Sequence, residues 1–170
     1  QDCALTNSLL VGGNPNYLSS EFFDVLSRHS VGYVFLEGYF MPHIGEVFGE
    51  FQPATAEFAV IRLHGSDRSD IEKRTGKVWN QVVDPKPNGL TAAAEIIRAN
   101  AAQKIRTFVN VNNHFEGSAP LTIERLVAEL GVTGVHQDEV RNGQLADEGT
   151  PPEMTLGHLD DRGGLRPQFS

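Results

Sequence analysis

Cysteine is nearly absent: Cys3 stands alone among 170 residues. One cysteine excludes an intrachain disulfide and a cysteine-built zinc site. It also suits a reducing compartment, so a cytoplasmic location is expected. Long apolar runs are missing too, and no stretch approaches the roughly 20 apolar residues of a membrane-spanning helix. The opening QDCALTNSLL has neither the basic n-region of a signal peptide nor an initiator Met, so a fragment or a processed product is expected. Positive charge is scarce: 14 Lys and Arg stand against 22 Asp and Glu, a formal net charge of −8. Nucleic acid and anionic membranes select the opposite balance, so neither is an expected partner.

What is present fits a globular protein: 39% hydrophobic and 21% charged residues, over a length sufficient for one packed domain. Residues 9–13 (LLVGG), 33–36, 58–64 (FAVIRLH) and 108–114 read as strands. Between them, Ser19 or Ser20 can cap a helix that turns Phe22, Phe23, Val25 and Leu26 to one side. The connection 39–56 reads as a loop with one helical turn near 44–48. In the polar connection 65–88, residues 71–83 have helical character and Trp79 is an anchor. Thr91 caps a helix over 91–103, and a last helix runs over 121–130, with Ser118 as cap and Gly131 as stop. Residues 1–135 form the predicted α/β domain. Residues 136–170, rich in Asp, Glu, Gly and Pro, read as a disordered tail.

Four strand–helix units with long connections predict a parallel sheet. Two architectures fit: a small open doubly wound sheet, or four consecutive units of a (β/α)8 barrel. Four strands cannot close a barrel, so the second needs an N-terminal half or a second copy of the chain to satisfy the sheet edges.

In both architectures sites lie at the C-terminal ends of the strands. Alternation puts Arg62 and His64 on one face of their strand. It puts Asn110, Asn112 and His114 together on one face of another. His64 and His114 are the candidate catalytic acid/base groups; the alternative is a hydrogen-bonded core role. Arg62 reads as a clamp for an anionic substrate, or as half of an ion pair with Glu37 or Glu116. Asn112, Asn113 and Glu37 are candidate substrate-positioning groups, while Asn110, deeper in its strand, reads as structural. Gly65-Ser66 and Gly117-Ser118 can offer backbone N–H groups to a phosphate, or serve as plain turns; Asp67 and Glu116 next to them would oppose a dianion. His64, His114, Glu37 and Glu116 supply enough ligands for a divalent metal. Their spacing matches no metal motif, so a metal is not the favoured reading and no cofactor is assigned. Arg68, Lys73, Arg74 and Lys77 form either a solvated face paired with Asp67, Asp70 and Glu72, or a cationic lid.

Two motifs carry a family resemblance. FAVIRLHGSDRSDIEKRTGKVWNQVV contains Arg62-Leu63-His64-Gly65, and TFVNVNNHFEGSAPLTIERL contains Asn112-Asn113-His114. They resemble the R-x-H-G and N-N-H strands in the C-terminal half of the DUF72 family, also called YecE-like or UPF0759. The resemblance covers about 9–130. It implies a TIM-barrel-like fold whose last four strands are these, and an activity related to sugar isomerases. Many members carry a Glu and an Arg in the strand matching LLVGGNPNYL, where this chain has Val11, Gly12 and Gly13. The expectation is an isomerase or hydrolase acting on a small polar, sugar-like or phosphorylated substrate. The alternative is a non-catalytic ligand- or partner-binding module.

Overall fold

Alternation along two apolar segments sets the architecture. The computed structural model describes residues 14–38, 40–65, 68–132 and 156–157. Strands β1 (Val34–Gly38), β2 (Phe58–Gly65) and β3 (Arg106–Val111) run parallel in that spatial order. Their register aligns Phe35 with Ile61 and Ile61 with Val109. In β2 every second residue is buried, so Ala59, Ile61 and Leu63 face a helical layer while Phe58, Val60, Arg62 and His64 face the other way, half-buried. A two-residue strand, β4 (Leu156–Gly157), pairs with Val109 and Asn110.

The helical layer is built from α1 (Ser20–Arg28), α2 (Ile44–Phe51), α4 (Pro87–Ala102) and α6 (Ala119–Leu130); α3 (Arg68–Thr75) and the single turn α5 (Asn113–Glu116) lie near the strand ends. Ser19 starts α1 by accepting the Phe22 N–H at 3.3 Å. Phe23, Leu26, Tyr33, Phe35, Ile61, Leu63, Ile96, Val109 and Leu126 belong to one continuous core. Phe22, Phe23, Tyr33 and Phe35 follow one another edge to face within it, with centroids 5.0–6.4 Å apart. Cutting Ile61 or Leu126 back to Ala would cost about 2–5 kcal/mol, because both are fully enclosed.

Several predicted boundaries shift for identifiable reasons. The strand expected over 108–114 ends at Val111, because the Asn112 side chain accepts the His114 N–H and begins α5. The single turn expected at 44–48 is a two-turn helix, since Ile44, Val47, Phe48 and Phe51 all turn to the core. The helix expected over 71–83 starts at Arg68 and stops at Thr75, where Gly76 and Lys77 take positive φ. The helix expected from Thr91 starts a turn earlier, at Pro87, whose missing N–H suits the first turn. The predicted strand at 9–13 and nearly all of the predicted tail at 136–170 lie outside the described residues; Leu156–Gly157, within that tail, pair with β3.

Candidate functional site

Arg62 and His64 stand two apart on β2 and share its open face. Register sets Asn110 of β3 beside Arg62, and Leu36 on its other side. Among the described residues the Arg62 side chain has no hydrogen-bond or ion-pair partner. Neither Glu37 nor Glu116 reaches it. Burial holds the His64 imidazole below the usual histidine range, and the positive charge of Arg62, then that of His114, adds to the effect. The neutral ring is therefore the favoured form in the folded protein.

His114 reaches the same end of the sheet by another route. Gly65 closes β2 with φ of +88°, and a Cβ there would collide with the carbonyl of His114, whose carbon would lie 2.8 Å away. Only glycine allows this approach between β2 and α5. The Asn112 side-chain oxygen then accepts two N–H groups of His114, the backbone one at 2.9 Å and Nδ1 at 2.6 Å. The backbone N–H can only donate, so it fixes which end of the amide is oxygen. Nδ1 must therefore carry a proton, and Nε2 is the nitrogen left for proton exchange. Nε2 lies 3.3 Å from Oε1 of Glu72 on α3. Trp79 packs edge-on against the ring, with centroids 5.0 Å apart.

Glu72 also accepts from Arg68 Nε at 2.7 Å and faces Lys77 Nζ at 3.4 Å. Its carboxyl is held far below the usual range, at about 2: the hydrogen bond from Arg68 is the largest cause, burial opposes it as the next largest, and His114 and then Lys77 add to the lowering.

Other candidates hold the scaffold. Glu37 Oε2 accepts the Ile44 N–H at 3.0 Å, at the start of α2. Glu116, fully buried, accepts the Lys86 N–H at 2.6 Å and the Thr122 hydroxyl at 2.9 Å, and pairs with Arg125. Its backbone carbonyl takes the N–H groups of Val83 and Asp84, so it ties the segment before α4 to the turn α5. Asn113 accepts the Ala119 N–H at 2.8 Å and so caps α6. Ser118, the predicted cap, makes no side-chain capping bond but accepts the Thr122 N–H through its carbonyl. Gly117 ends α5 with φ of +113° and packs against Gln81 and Val83. Ser66 lies outside the described residues. Among the described residues no three His, Cys, Asp or Glu side chains are set together to hold a metal. No helix there is long and apolar enough to cross a membrane. A cavity of about 350 Å³ lined by Pro87, Leu90, Arg125, Ala128 and Glu129 includes none of the predicted site residues.

The geometry thus brings Arg62, His64, Asn110, Asn112 and His114 to one end of the sheet, and adds Glu72 and Trp79. Glu72 is four residues after Arg68, a spacing that announces a helical ion pair; nothing in the spacing announces its reach to His114, 42 positions away. No curated protein and no solved structure matches the chain. Residues 14–145 match the model of a family described as protein of unknown function DUF72, and the chain belongs to that family.

Proposed function

We propose that the protein binds a small polar anion, sugar-like or phosphorylated, at the C-terminal ends of β2 and β3, and performs acid–base chemistry on it as an isomerase or a hydrolase. The observation that carries this reading is Arg62, half-buried on the open face with no partner among the described residues. A guanidinium so placed is free to meet a carboxylate or phosphate, and its planar fork matches either group. His64, on the same face, is favoured in the neutral form and so can accept a proton from a ligand held by Arg62. Asn110, register partner of Arg62, can donate to or accept from a hydroxyl.

A barrel is the larger frame of this proposal. The strand order β1-β2-β3 has no reversal, and the core lies on one side of the sheet. Right-handed crossovers that always step in the same direction leave every helix on that side, as in a barrel; a doubly wound sheet reverses its order and buries both faces. Closing the barrel takes further strands, from an N-terminal half or a second copy.

The test is calorimetric titration with sugar phosphates and sugar acids, followed by a turnover screen on the ligands that bind. Arg62→Gln should weaken binding about 10- to 100-fold, the worth of a charge-assisted hydrogen-bond pair. His64→Ala should retain binding and lose turnover. Unchanged affinity in Arg62→Gln would sink the proposal. A second reading, a non-catalytic binding module, is favoured by the number of polar groups already engaged in the scaffold: Glu37, Asn113 and Glu116 all hold backbone N–H groups. Ligand-induced stabilisation without turnover on any bound compound would select it.

A further inference from the structure

Three nitrogen groups, two from α3 and the turn after it and one from α5, converge on one carboxylate. Arg68 Nε and His114 Nε2 approach Glu72 Oε1 at 2.7 and 3.3 Å, and Lys77 Nζ approaches Oε2 at 3.4 Å. The pair between Arg68 and Glu72 is an ordinary i,i+4 contact with an exposed arginine, and such pairs contribute little alone. His114 makes the difference. It is nearly buried, its other nitrogen is fixed by Asn112, and Trp79 covers its edge. Its one exchangeable nitrogen is turned to Glu72 and so is occupied before any ligand arrives.

We propose that Glu72 is the resident occupant of an anion-binding site whose donors are His114 Nε2, Arg68 and Lys77, and that a carboxylate or phosphate group of a ligand enters by displacing it. Glu72 is then an internal competitor. It keeps the donors together, and it blocks His114 until an anion of suitable shape takes its place. The exposure of Arg68 and Lys77 leaves the site open to solvent on that side, so a ligand can reach it. The proposal does not depend on the functional reading above, which works through Arg62 and His64; neither is among its donors.

Trp79 is the only tryptophan, and its contact with His114 makes it a native reporter. The experiment titrates the full chain, wild type and Glu72→Ala, with inorganic phosphate and separately with acetate, and follows Trp79 fluorescence. The expected result is a saturable change in Glu72→Ala with an affinity at least about tenfold above wild type. Tighter binding of phosphate names a phosphorylated ligand, and tighter binding of acetate names a carboxylate. Adding Lys77→Gln should weaken that binding, and adding Arg62→Gln should leave it unchanged. Glu72→Gln, which keeps the side-chain shape, repeats the test if the alanine variant does not fold. Equal affinities in wild type and both Glu72 variants would overturn the proposal. Loss of the response with Arg62→Gln but not with Lys77→Gln would also overturn it, while supporting an anion at Arg62.

Discussion

Gly65 shows how one residue positions a site it does not chemically serve. Its φ of +88° lies where L side chains are strained, and a methyl group would meet the His114 carbonyl and crowd Phe115 Cα at 3.0 Å. Backbone, unlike the end of a flexible side chain, cannot move aside cheaply. Gly65→Ala should therefore cost about 2–4 kcal/mol, combining strain with forced separation of β2 from α5. Denaturant unfolding reads that loss. The same variant should alter Trp79 emission in the folded state, because His114 must shift against the indole. A variant as stable as wild type, with identical emission, would mean that β2 and α5 do not approach this closely.

At the scale of elements, α3 is held more by charge than by apolar burial. Only Ile71 and Thr75 are buried along it, and Glu72 supplies its link to His114. The carboxyl titrates at about 2 in the folded protein, against 4.5 ordinarily. A depressed carboxyl stabilises the fold above pH 4.5 and loses that contribution as pH falls from 4.5 toward 2. Amide hydrogen exchange of α3 should accordingly rise across that interval before exchange of β2 and α4 does, and Glu72→Gln should remove the pH dependence. Uniform protection of α3 down to pH 2 would contradict it. The strand β2 and the end of α6 at Gly131 were legible in the sequence, because strict alternation and a terminal glycine leave few competing readings. Asn113 and His114 read as strand residues because a four-residue helix is too short to show a period. The available signal was asparagine's preference for helix N-caps, which alternation masked. The approach of Glu72 to His114 depends on a turn at Gly76 and Lys77 and on packing between distant segments, which local patterning does not encode.

The described residues bury one side of the sheet in a single core, and that core contains an ionisable group. Tyr33 is 2% exposed among Phe22, Phe23 and Phe35, and burial pushes its hydroxyl up from 10.0 to about 12. The raised value means that the folded state resists loss of the proton. Its contribution is therefore fully present below pH 10 and is lost as pH rises from 10 toward 12. His64 acts at the other end: its depressed value favours the neutral ring, so its contribution is present above 6.5 and is lost as pH falls below that. Stability should be greatest between these limits. The alkaline limb can be isolated with Tyr33→Phe, which keeps the ring and removes the proton. Two pH units correspond to about 3 kcal/mol at full deprotonation. Wild type should lose about 2 kcal/mol of this relative to Tyr33→Phe between pH 10 and pH 12, read from denaturant midpoints at each pH. Parallel alkaline curves for the two proteins would show that the Tyr33 hydroxyl reaches solvent, and so that the aromatic stack does not close over it.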